Sequence, residues 1–184
     1  SSWITATRNT FLLSWAFLTS GILLGGWWSY MELGWGGYWA WDPVENASLI
    51  PWLAATAFVH TALLETRRGA LQRTNVFLMA FTLLMCFFAT YLVRSGVVDS
   101  LHAFGSQGVA SPLLIFILTG LGVSMAVSKV GGLPESRQLS GIFSREGFLL
   151  LVMWILIALS LVILLGTMWP VFSQLWLDNP KGLT

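Results

Sequence analysis

Five apolar runs set what this chain can become: about Phe11 to Trp28, Pro43 to Leu64, Asn75 to Val93, Pro112 to Val130 and Phe148 to Trp169. Crossing the hydrocarbon core of a bilayer takes about 20 mostly apolar residues. Inside it, only helices and closed barrels satisfy every backbone polar group. Each run is near span length, and polar stretches such as ETRRGALQRT and KVGGLPESRQLSGIFSRE separate them. The sequence therefore predicts an all-α, polytopic membrane bundle of about five transmembrane helices, forming one domain over residues 1–184. Composition agrees, at 56% hydrophobic and 9% charged, against about 25% charged in an average soluble domain.

Several function classes drop out. A net charge of +1 lacks the basic excess of a nucleic-acid binder. The single cysteine, Cys86, sits in an apolar run, so the chain carries no disulfide framework, no CxxC pair and no CxxCH haem-attachment site. Cys86 and the six methionines read as packing. The chain begins at Ser1 without a basic segment leading to a small-residue cleavage site, so it is expected to be processed or part of something longer.

Basic residues collect in loops on the cytoplasmic side of a membrane. In a five-span chain Arg8, Arg67, Arg68, Arg73, Lys129, Arg137 and Arg145 share one side, leaving Arg94 and Lys181 on the other. That vote places the N-terminus inside. The tryptophan loop at residues 27–42, the loop at 94–111 and the C-terminus then face the periplasm or its equivalent.

The segment at 27–42 is the most unusual. Trp27, Trp28, Trp35, Trp39 and Trp41, with Tyr30 and Tyr38, are interleaved with Gly25, Gly26, Gly34, Gly36 and Gly37. An interfacial aromatic belt is one reading, and it suits Trp3, Trp169 and Trp176. A belt needs no glycine, whereas a surface that lets a large flat ring approach the backbone does. Indole faces supply the apolar, stacking side of such a platform.

The step Asp42-Pro43-Val44-Glu45 reads as a helix start, with Asp at the N-cap, Pro at the first helical position and Glu reaching back to the cap amide. A helix N-terminus pointing outward would also attract carboxylates of a ligand. Pro51 removes one backbone donor and should bend the second helix.

Two histidines complete the inventory. His60 falls inside the second span, where an ionisable group is a functional candidate by default. It lies 18 residues beyond Asp42, roughly 27 Å along a helix, too deep to serve the tryptophan segment. His102 lies in the loop on the tryptophan side, either an ordinary polar residue or a ligand. Arg94 opens that loop, either snorkelling to the interface or binding a carboxylate bidentately.

The stretches WWSYMELGWGGYWAWDPVENASLIPWL, FVHTALLE and LVRSGVVDSLHAFG closely resemble the tryptophan-rich WWD core of the cytochrome c maturation protein F (CcmF) family, including its nitrite-reductase-associated paralogues. The resemblance covers at least residues 27–105. It implies a component of the system I cytochrome c haem lyase, which takes haem from a haem chaperone and helps join its vinyl groups to the CxxCH thiols of an apocytochrome c, in a bacterial or mitochondrial inner membrane. It further implies that the tryptophan segment holds delivered haem on the outer side, that His102 is an axial ligand to that haem, and that His60 ligates a resident haem b proposed as its reductant. The family is several times longer, and each haem is expected to have a second histidine. With only two histidines here, the partner ligands are expected from a split subunit or the remainder of the same protein. The CcmC and CcsA types share a tryptophan-rich core and keep a second reading open, a haem-transfer subunit that makes no bond; the step DPVENAS separates the chain from both.

Overall fold

A computed structural model describes residues 2–34, 36–100, 102, 108–130, 141 and 143–174. It contains five helices, α1 (Ser2–Glu32), α2 (Pro43–Arg68), α3 (Gln72–Ser95), α4 (Ala110–Val130) and α5 (Arg145–Ser173), each long and apolar enough to cross a membrane. The order matches the five apolar runs. The main differences are at α1, which starts well before Phe11, taking in Thr7, Arg8, Asn9 and Thr10, and runs on to Glu32, so that Trp27, Trp28 and Tyr30, expected in the loop, are helical. Hydroxyls make this possible by bonding back one turn: Thr7 Oγ1 donates to the Trp3 carbonyl and Ser14 Oγ to that of Thr10, both at 2.9 Å.

Helix α2 is the hub. It packs against α1, α3 and α5, while α4 packs on α3. Lipid offers no hydrophobic drive between helices, so association depends on close packing by small residues and on buried polar bonds. Both operate here. Ala47, Ala54, Ala55, Ala57 and Ala62 of α2 are buried, and Phe58 fills a cluster with Ile4, Leu78 and Met153 from α1, α3 and α5. Between α1 and α2, Trp15 Nε1 donates to Thr56 Oγ1 at 2.9 Å and Trp52 Nε1 to Thr19 Oγ1 at 2.8 Å, which sets an antiparallel register. Between α2 and α3, Asn75 Nδ2 donates to Glu65 Oε2 at 2.7 Å and Thr61 Oγ1 to Asn75 Oδ1 at 2.5 Å, all three residues being buried.

Tight links fix the order. Gly69 ends α2 at φ 67°, its N–H on the Glu65 carbonyl, and Leu71, also left-handed, turns directly into α3. At the α3–α4 crossing, a Cβ added to Gly120 would meet Leu84 Cδ2 at 2.6 Å, so the absent side chain sets how close these helices lie. Helix α2 continues through the buried Pro51. The bundle has two chemically distinct ends. Arg8, Arg67, Arg68, Arg73, Lys129 and Arg145 gather at one, and the segment 36–41, Arg94 and His102 at the other. Arg137 and Lys181 lie outside the described residues.

Candidate functional site

The first turn of α2 forms as its sequence dictates and does more. Asp42, at φ −59° and ψ 142°, caps the helix and forms the complete capping box with Glu45. Side chains of this turn then stitch down the segment before it. Glu45 Oε2 accepts from the Ala40 amide at 2.8 Å, Asn46 Nδ2 donates to the Trp41 carbonyl at 3.0 Å, and Trp39 Nε1 reaches Asn46 Oδ1 at 3.4 Å. Trp41 is thereby held at φ 58°, a left-handed conformation that costs a residue with a Cβ roughly 1–2 kcal/mol. The expectation of an anion-binding helix end does not hold here. The Val44 amide and the amide of the third helical residue are already taken by the Asp42 carboxylate, so the protein supplies its own anion.

Asp42 also reaches across to the third loop. Its Oδ2 accepts from Ser100 Oγ at 2.6 Å and faces His102 Nδ1 at 3.2 Å, while the His102 amide donates to Ser100 Oγ at 3.0 Å. A carboxylate can only accept from a ring nitrogen, so Nδ1 carries the hydrogen, and in a neutral ring Nε2 is then the acceptor. This is how proteins orient a histidine that ligates a metal. The Asp42 side chain is 9% exposed and that of His102 31%, so the ring remains reachable.

Between α1, segment 36–41 and the start of α2 lies a cavity of about 420 Å³, within the range of small-molecule sites. Trp28 and Trp39 line it beside the glycine-rich face of α1, and its polar groups come from Ser29, Glu45, Ser48 and His102. Ser29 is 3% exposed, and its hydroxyl has no hydrogen-bond partner among the described residues. A buried hydroxyl without a protein partner beside a cavity can donate to whatever fills it, water or ligand.

Of the sequence candidates, Trp28, Trp39 and His102 come together. Trp27 and Trp41 are exposed, Arg94 ends α3 without lining the cavity, and Trp35, like Trp176, lies outside the described residues. His60 stands apart. It continues the stripe of Trp52 and Thr56 on α2 that faces α1, and its Nδ1 lies 2.7 Å from the Thr56 carbonyl. A carbonyl only accepts, so here too Nδ1 carries the hydrogen, and in a neutral ring Nε2 is left as the acceptor. The two rings lie at separate depths of the bundle. Among the described residues no three of His, Cys, Asp and Glu gather as a metal cluster would. Asp42 and Ser29 escaped sequence reading in these roles. Asp42 carried a sufficient local explanation, and nothing near Ser29 in sequence marks it.

Five span-length apolar helices with an aromatic-lined cavity at one end define a class, the polytopic membrane proteins. Residues 1–98 match the family model described as cytochrome c assembly protein, and the chain belongs to that family. Within it the likeness is to the CcmF type. The chain is 42% identical over 182 residues to the cytochrome c-type biogenesis protein CcmF of Haemophilus influenzae, covering 97% of this chain and 28% of that protein. It is 43% identical over 170 residues to a probable cytochrome c-type biogenesis protein, NrfE, of Escherichia coli, covering 89% and 30%. A solved structure named cytochrome c heme lyase CcmF superposes with a TM-score of 0.75 at 38% identity, over 94% of this chain and 26% of that one. The chain thus spans little more than a quarter of the length of these proteins.

Proposed function

We propose that the chain is the haem-presenting core of a cytochrome c haem lyase, in a bacterial or mitochondrial inner membrane, with its tryptophan end in the periplasm or intermembrane space. The observation that carries this reading is the cavity that joins Trp28, Trp39 and the orphaned Ser29 hydroxyl to a histidine whose free nitrogen is held ready by Asp42. Haem is the substrate there, brought by a haem chaperone of the system I maturation machinery. The indoles of Trp28 and Trp39 supply apolar faces for its ring, His102 Nε2 an axial ligand, and Ser29 a donor for a polar edge. Trp27, Trp35, Trp41 and Arg94 remain as contacts for the ring's far side or for partner subunits.

The bond made is a thioether. Each CxxCH thiol of the apocytochrome adds across a vinyl group, sulfur to one carbon and hydrogen to the other, so no oxidant is consumed. The protein's contribution is orientation and proximity. No acid, base or nucleophile is required of it.

His60 is proposed to hold a resident haem b. The fit rests on its tautomer, since the Thr56 carbonyl fixes hydrogen on Nδ1 and leaves Nε2 for iron. When bound, that group supplies one-electron chemistry, which suits keeping the delivered iron reduced. The basic end of the bundle favours the inner side of the membrane for this half of α2.

Absorption spectra of the complete protein with its partners test the assignment. His60→Ala is expected to lose the stable b-type spectrum, and His102→Ala to keep it but to lose trapped haem and cytochrome c product. If both variants keep every haem signal, the assignment of sites is wrong. A transfer subunit without bond formation is distinguished in the same preparations by haem passing on with no covalent product.

A further inference from the structure

At the basic end, the last turn of α2 meets the first turn of α5 around a cavity of about 280 Å³. Its outer rim is basic, formed by Arg67 and Arg68 of α2 and Arg145 of α5. One turn closer to the middle of the bundle its walls become apolar, with Leu63 and Leu149. Among the described lining residues one carboxylate shares the space: Glu146, which pairs with Arg68 Nε at 2.6 Å and ties α5 to α2. Three guanidiniums against one carboxylate leave an excess of two positive charges, arithmetic that needs no titration at neutral pH because arginine stays charged.

Charge over hydrocarbon at the rim of a membrane-spanning bundle is the arrangement of a lipid site. Guanidinium forks match phosphate oxygens two at a time, and basic pockets between transmembrane helices hold anionic headgroups. Leu63 is 42% exposed and Phe148 of the adjacent turn 59%, so an apolar surface continues from the cavity along the outside of the bundle. A free phosphate would use only the arginines; a phosphate carrying hydrocarbon uses both walls. We propose that this cavity binds the headgroup of an anionic phospholipid, with Arg67 and Arg145 on the phosphate and an acyl chain along Leu63 and Leu149. The lipid would brace α2, the helix that carries His60, against α5.

The test uses the complete protein in phosphatidylcholine nanodiscs with and without phosphatidylglycerol, and inorganic phosphate as a separate arm. Thermal unfolding gives the stabilisation and native mass spectrometry counts retained lipid. Phosphatidylglycerol is expected to raise the Tm and to remain as an adduct, while phosphate at the same concentration does neither. In Arg67→Gln/Arg145→Gln the apparent affinity should fall roughly tenfold or more, with the Tm in pure phosphatidylcholine unchanged because the Arg68–Glu146 pair is kept. An undiminished phosphatidylglycerol shift in that variant overturns the proposal, as does an equal shift from inorganic phosphate in the parent. Should the double variant fail to fold, Arg67→Lys/Arg145→Lys keeps the charge but removes the fork. Its affinity should still fall, and an unchanged value again overturns the proposal.

Discussion

Asp42 concentrates the logic of the site in one side chain. It caps α2, closes the box with Glu45, and holds both Ser100 and His102. These jobs separate by substitution. Asparagine caps a helix about as well as aspartate, but as a neutral group it orients an imidazole less firmly. Asp42→Asn is therefore expected to leave thermal stability nearly unchanged while weakening haem trapping at His102 by about 10- to 100-fold, the usual cost of losing a ligand's supporting carboxylate. Asp42→Ala should add a stability loss of about 1 kcal/mol for the lost cap. Haem titration beside a melting curve checks both, and equal losses in the two measurements for Asp42→Asn would reduce Asp42 to a cap. The contrast also marks what was legible. The capping box is a spacing of three residues and can be read directly from DPVE. The bond to His102 joins residues 60 apart and depends on where α3 delivers its loop, which no local pattern encodes. Ser29 is hidden for the same reason, its neighbours being set by the way segment 36–41 folds back.

Among elements, that segment shows how glycines written close together serve different ends. The sequence suggests one purpose for them, letting a ring approach the backbone. In the fold Gly36 takes up a left-handed conformation at φ 71°. Gly26 supplies a packing contact, because a Cβ there would stand 3.0 Å from the Tyr38 carbonyl oxygen. Gly25 has open space at its Cβ position and lines the cavity. Tyr30 and Tyr38, stacked at 4.4 Å and 8°, press the segment onto the end of α1. Gly26→Ala is expected to push this layer outward, since backbone cannot yield as a flexible side chain does. Haem trapping should fall several-fold, and limited proteolysis within 36–41 should speed up. Gly25→Ala should leave proteolysis unchanged and act only on haem affinity, by narrowing the cavity. Identical proteolysis of the two variants would mean that Gly26 is not what anchors the segment. Helix number and order were legible because span length is a strong constraint. The start of α1 was not, because Thr and Ser side chains that look like loop residues bond to their own helix.

At the scale of the molecule, the bundle is built around α2 and is open elsewhere. The backbone of helix α1 comes close only to α2 among the described elements, with Ile4 reaching the cluster of Leu78 and Met153, and Leu12, Leu13, Phe17, Leu23 and Leu24 are exposed. His60 borders this open side. The register set by Trp15–Thr56 and Trp52–Thr19 brings it level with Phe11, on the seam between α1 and α2. The chain's other histidine is at the far end, so the two cannot ligate one iron. A resident haem with two histidine ligands at His60 must take the second from outside these 184 residues. That requirement fits a chain spanning little more than a quarter of the length of its CcmF relatives. Replacing, one at a time, the histidines of a split subunit or of any remainder of the same protein tests it. At least one variant should lose the same b-type signal as His60→Ala, and a second should reproduce the loss of trapped haem seen with His102→Ala. If every such variant keeps both signals, the opposing ligands are not histidines, and the open face of α1 needs another explanation, with lipid as its neighbour.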